Sequence, residues 1–125
     1  ITYAHGLNAF KRKEKALKLL SKQLKTQPSS TLFNALPDLI SADDVEIHKL
    51  IERLEPTHEN DADFQTCLAK LAMQKRDAKQ AKLHWQNVCR IAPTRQTWLA
   101  LAQVQEQLGE NTSAAQSYRK AAITT

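Results

Sequence analysis

Residues 108–121, LGENTSAAQSYRKA, read like a second copy of residues 75–88, KRDAKQAKLHWQNV. At an offset of 33 residues, Arg76-Asp77 falls on Gly109-Glu110, Ala81 on Ala114, Trp85 on Tyr118 and Val88 on Ala121. Upstream the match continues, with Leu68 on Leu101 and Ala69 on Ala102. A period in the low thirties, with small residues and aromatics at fixed places, marks a helical hairpin repeat. The chain has only two glycines, and one of them, Gly109, follows Leu108 where a left-handed C-cap closes a helix. Arg76 must take the same conformation in the other copy, at some cost. Ala69, Ala81, Ala102 and Ala114 let paired helices approach closely. Trp85 and Tyr118 are expected to fill the space between one hairpin and the next. Pro28 and Pro93 are placed to end helices.

Working outward, apolar spacing near 3.6 recurs along the chain and predicts six helices. The stripes are Ala16, Leu17, Leu20 and Leu24 in 12–27, and Ile47, Leu50, Ile51 and Leu54 in 43–55. Phe64, Cys67, Leu68 and Leu71 follow in 62–75, then Ala81, Trp85, Val88 and Ile91 in 78–91. Trp98, Leu101, Ala102 and Leu108 mark 95–108, and Ala114, Ala115, Tyr118 and Ala121 mark 112–123. Ser41 and Asp44 read as a capping pair. No stretch of five or more residues alternates with period two, so the expected fold class is all-α. Residues 29–40 read either as a short first helix of a degenerate repeat or as an irregular connector, and Pro37 argues against a full helix there.

The length of 125 residues suits one domain, and 42% hydrophobic residues suffice for a core. No apolar run nears the roughly 18 residues of a membrane span. The chain opens at Ile1, so it is expected to be a C-terminal fragment of a longer protein. Its net charge of +5 is segregated: seven bases and one acid in residues 1–37, nine acids and two bases in 38–63, nine bases and three acids beyond. Solvated outer helix faces account for such blocks. The bases lack interleaved aromatics and any reading motif, so no nucleic-acid partner is expected. Cys67 and Cys89 fall on apolar helical positions and are expected to be buried thiols.

These residues resemble the tetratricopeptide repeat. The last copy supplies Trp98, Leu101, Ala102, Gly109, Ala114, Tyr118 and Ala121; the copy before it supplies Leu68, Ala69, Ala81, Trp85 and Pro93. Gln65 stands for the early Trp, and Ala72 and Gln105 for the usual Tyr, so both copies are degenerate. The resemblance implies antiparallel helix hairpins stacked as a right-handed α–α superhelix. It divides the chain into a partial repeat in 1–28 (the end of a first helix plus a second helix, KEKALKLLSKQLKTQP), a degenerate repeat in 29–61, and repeats in 62–94 and 95–125, all in one solenoid domain.

A longer resemblance, carried by Leu36-Pro37-Asp38-Leu39 before an acid-capped helix and by RIAPTRQTWLALAQVQEQLGE, is to the HemY family. These are bacterial inner-membrane proteins linked to haem and porphyrin biosynthesis. It implies a parent protein with N-terminal membrane helices and a soluble end on the cytoplasmic side. Haem-pathway enzymes are the implied partners. A generic bacterial repeat adaptor unrelated to haem shares several of the same motifs.

Catalysis is not expected. No Gly-rich dinucleotide motif is present, and no nucleophile, base and orienting group converge by spacing. His48, His84, His58 (in a linker after Pro56) and His5 read as surface or edge residues, without metal-ligand spacing. His58 with Glu59, Asp61 and Asp63 lacks a Gly-turned calcium loop. No cofactor or metal is expected. What remains is binding: in stacked hairpins the inner wall comes from the first helix of each pair. That predicts a groove for a protein or peptide, lined by Asp63, Thr66, Lys70 and Met73, then Gln96, Leu99, Gln103 and Glu106. Two further readings stand beside it. One is a tetrapyrrole carrier that holds porphyrin in the groove or the Trp85/Trp98 region with a histidine on the iron, His84 foremost. The other is contact of the lysine-rich helix, Lys11 to Lys25, with anionic lipid.

Overall fold

The computed structural model describes the backbone of residues 2–124 and the side chains of residues 11–124. Seven α-helices and no strand form the described chain: α1 (Thr2–Thr26), α2 (Ser30–Leu39), α3 (Val45–His58), α4 (Ala62–Gln74), α5 (Ala78–Ile91), α6 (Arg95–Gln107) and α7 (Asn111–Ile123). None of them is long and apolar enough to cross a membrane. The all-α expectation holds; the count of six does not. The added helix is α2, which runs through Pro37. A proline removes one backbone bond and crowds the carbonyl four residues earlier. Here it sits in the last turn, while Phe33, Leu36 and Pro37 itself are buried. That burial outweighs one lost bond, and the free Pro37 carbonyl accepts from the Gln74 side-chain amide.

Three other expectations change. Residues 2–26 form one unbroken helix, where the sequence suggested the end of one helix followed by another. α3 continues past Pro56 to His58, so His58 is helical. The Thr57 hydroxyl donates to the Leu54 carbonyl at 3.0 Å in that last turn. Ser41 does not cap α3. Instead the Asp44 carboxylate turns back and accepts from the Ser41 N–H at 2.8 Å. That bond chiefly holds the Asp44 carboxyl below its usual pKa, with Lys13 at 3.7 Å adding to it.

Four other helices carry side-chain caps. Ser29, Asp61, Asp77 and Thr94 each accept a backbone N–H from the first turn of the helix they precede. The two turns 33 residues apart share one geometry. Arg76 and Gly109 have φ of 57° and 77°. Their N–H groups donate to Met73 and Glu106, each at 3.0 Å, and the next N–H groups reach back to Ala72 at 2.9 Å and Gln105 at 2.8 Å. This is the Schellman closure, made twice.

The core falls into two clusters. Leu24, Phe33, Leu36, Ile40, Ile47, Ile51, Phe64, Cys67 and Leu71 gather α1 to α4. Ala69, Ala72, Ala81, Trp85, Val88, Cys89, Leu101 and Val104 gather α4 to α6. α4 therefore serves both, with opposite faces. Of the predicted stripes, Ala16 and Ala115 are exposed. Tyr118 is 38% exposed where Trp85 is 5%, because α7 is the last described helix and no further described helix covers the outer side of that ring.

Candidate functional site

The eight predicted groove residues form two rows, one on α4 and one on α6. Spacings of three, four and three residues keep each row on one helix face. In the α4 row, Asp63 and Thr66 are half-buried and Lys70 and Met73 exposed. The Thr66 hydroxyl is committed to the Ala62 carbonyl at 2.8 Å. In the α6 row, Gln96, Gln103 and Glu106 are exposed and Leu99 half-buried. The last residue of each row is tied to its own hairpin. Trp85 donates its indole N–H to the Met73 sulfur at 3.4 Å, and the Tyr118 hydroxyl donates to the Glu106 carboxylate. That bond pushes the Tyr118 pKa up. Among the described residues no hydrogen bond or ion pair joins one row to the other.

A second feature escaped sequence reasoning. A cleft of about 430 Å³ opens between α3 and the α4–α5 hairpin, walled by Ile51, Leu68, Leu71, Ala72 and Leu83 and edged by His48, Glu52, Glu55, Lys75, Asp77, Gln80 and His84. The two histidines, 36 residues apart, are both buried. His48 donates its Nε2–H to the Ser41 carbonyl at 2.9 Å. His84 is held more elaborately. The Gln65 amide gives its N–H to the Glu59 carbonyl at 2.9 Å. Its oxygen is thereby turned to accept from His84 Nδ1 at 2.8 Å and Asn87 at 3.2 Å. The His84 proton is thus on Nδ1, and Nε2 carries a lone pair. Every fully buried side-chain nitrogen and oxygen among the described residues has a partner, so the unbonded Nε2 is not sealed off, and His84 lines the cleft.

Burial depresses the His84 pKa, opposed by the Glu55 carboxylate, so the imidazole is neutral near pH 7. A neutral imidazole with a fixed tautomer is a Lewis base, and the Gln65 bond is the kind of outer support that orients a metal-ligating histidine. The cleft lining offers it no hydroxyl or thiol to activate. Cys67 is buried in the core and its thiol pushed up to about 12 by that burial. Cys89 is raised for the same reason.

The remaining histidine positions are structural or lie outside. His58 packs edge-on against Phe33, with ring centres 5.4 Å apart, and against Phe64 at 5.7 Å. Asp61 beside it caps α4 through the Asp63 N–H at 2.9 Å. No group of three or more His, Cys, Asp or Glu among the described residues is arranged to hold a metal ion. The His5 side chain lies outside the described residues.

Family models, curated proteins and solved structures contain no match to this chain.

Proposed function

We propose that this chain is a non-catalytic protein-interaction scaffold: a tetratricopeptide-like solenoid, stacked as a right-handed superhelix, whose α4 and α6 rows hold a peptide or partner helix. The observation that carries the reading is the offset of 33, which relates the two C-terminal hairpins in their turns, in the caps of their first helices and in the bond from each second-helix aromatic to the end of the first helix. Repetition of that kind is how solenoids build extended binding faces. The rows offer a mixed polar surface around Met73 and Leu99, suited to an extended peptide or an amphipathic helix. The HemY-like segments extend the proposal to a membrane-anchored bacterial parent with this domain on the cytoplasmic side of the inner membrane, assembling haem-pathway enzymes.

The test uses purified enzymes of the last steps of haem synthesis and two variants, Lys70→Glu and Gln103→Glu. Both positions are exposed, so folding should survive. Binding of at least one enzyme, weakened in both variants, is the expected outcome. Should none of the enzymes bind, or should both variants bind like the parent chain, the scaffold reading fails in this form. Binding of an unrelated protein at the same rows would instead favour an adaptor outside haem synthesis.

A tetrapyrrole carrier is the second reading, and the open Nε2 of His84 favours it. A saturable one-to-one change in the Soret band with haemin, lost in His84→Ala and kept in His58→Ala, would carry it. Non-saturating adsorption unaffected by His84→Ala would remove it.

A further inference from the structure

Residues 38–63 carry nine acids and only two bases, Lys49 and Arg53. Both bases line a groove of about 640 Å³ between α3 and α1, facing Lys18, Lys22 and Lys25. Glu46 is the single acid in the lining. Two other α3 carboxylates, Glu52 and Glu55, line the His84 cleft instead. The ion pairs of the described residues, Lys13 with Asp44 and Lys82 with Glu110, leave all five groove bases without a carboxylate within 4.0 Å. Lys18 also borders a neighbouring cavity that holds Asp43 and Asp44. Lys22, Lys25, Lys49 and Arg53 do not line that cavity, and Glu46 is the one carboxylate that shares their groove.

Packing alone would favour the opposite arrangement. A net-acidic helix set beside a lysine-rich one gains most by turning its carboxylates toward the lysines, since like charges at close range repel. Here α3 turns both of its bases toward them. We propose that the α1–α3 groove is a binding site for a multiply charged, phosphate-bearing anion, whose charge offsets this repulsion.

The lining selects that class. Lys18, Lys22 and Lys25 spread their charges over roughly 10 Å along α1, given the helical rise. Lysine meets phosphate as a mobile point charge, and Arg53 adds a planar fork. Leu50 is the one large apolar residue in the lining, and no aromatic is present. A peptide would therefore find no deep anchor pocket, and a nucleobase nothing to stack on. The phosphates can belong to a free anion or to a lipid headgroup.

The experiment titrates the chain with sodium tripolyphosphate by calorimetry and thermal melting. In parallel, it is sedimented with phosphatidylcholine vesicles with and without phosphatidylinositol bisphosphate. Binding in the first arm places the anion in solution, and binding only to the charged vesicles places it on a bilayer. Replacing two of the bases, Lys22→Gln with Arg53→Gln, should weaken binding about tenfold or more, since each charge-assisted contact counts separately. Without anion the same variant should melt at or above the parent temperature, because repulsion is relieved. A merely structural role for these bases would lower it. A control with the same charge loss elsewhere, Lys79→Gln with Arg90→Gln, should bind as the parent does. Absence of binding in both arms, equal weakening in the control, or polyglutamate binding as tightly as tripolyphosphate would each overturn the proposal.

Discussion

The α4–α5 and α6–α7 hairpins solve the same folding problem with different residues. Both close with a left-handed residue, but one uses Arg76 and the other Gly109. Each buries a glutamine on its first helix against the same second-helix position, Gln65 with His84 at 2.8 Å and Gln105 with Ser117 at 2.6 Å, although the glutamines themselves come from different positions of the repeat. Each has an aromatic on the second helix bonded to the end of the first, Trp85 to Met73 and Tyr118 to Glu106. The entry caps correspond as well, with Asp61 before α4 and Thr94 before α6. The geometry is thus kept while the chemistry varies, and the variation concentrates in α4–α5, whose polar pair carries a titratable ring. A salt bridge from Lys82 to Glu110 at 2.8 Å ties the two units together.

The sharpest way to break the comparison is at the aromatics. Trp85 lies inside the second core cluster, so Trp85→Ala should cost about 3–5 kcal/mol, as for other buried large-to-small changes. Tyr118→Ala should cost a small fraction of that, because its ring is solvated on one side. Equal losses in chemical denaturation would mean that α7 is covered by something beyond the described residues.

Next comes the buried polar pair. Gln65→Leu removes the acceptor of His84 Nδ1–H and should destabilise the chain by about 1–3 kcal/mol, the penalty for stranding a buried donor. A loss below that range in urea melts would show that His84 turns out to water.

The turns sharpen the comparison in opposite directions. A Cβ at Gly109 would meet nothing within 4 Å, so Gly109→Ala exposes the backbone cost of positive φ alone. That substitution should destabilise by about 1 kcal/mol, while Arg76→Gly should stabilise by about 0.5 kcal/mol. The two changes sharing a sign would refute the shared closure.

The smallest expected effect is one of pH. His84 is held neutral by burial, so its folded pKa lies below the ordinary 6.5. Its contribution is intact above that value and lost as pH falls through the folded pKa. The melting temperature should therefore drop more steeply below pH 6.5 in the parent chain than in His84→Gln. Ser117, the counterpart in the other hairpin, adds no such slope. Parallel pH profiles would contradict this.

The two C-terminal hairpin turns were legible because their signals are local. Leu108-Gly109, the alanines and the aromatics at an offset of 33 announce turn and packing within one short window. The N-terminal half was less legible because its helices depend on distant partners. Pro37 reads as a breaker, and only the burial of Phe33 and Leu36 against the cluster with Phe64 holds α2 helical around it. Likewise Pro56 hid the last turn of α3, where His58 packs on two phenylalanines from other helices. Single-position propensity carries none of that. The His48–His84 cleft was invisible for a related reason: 36 residues separate two rings that border one cleft only because α3 lies across from the α4–α5 hairpin. The grouping of Lys49 and Arg53 with the α1 lysines depends on α1 lying beside α3, which no local pattern in residues 38–63 encodes.

The functional reading rests on the two hairpins being one unit written twice, and native-state hydrogen exchange tests that claim most directly. The Asp77 and Glu110 amides close the two turns onto Ala72 and Gln105 at 2.9 and 2.8 Å. The account predicts strong and similar protection at both, above that of the neighbouring exposed turn amides. An Asp77 amide that exchanges at the unprotected rate while Glu110 stays protected would contradict it.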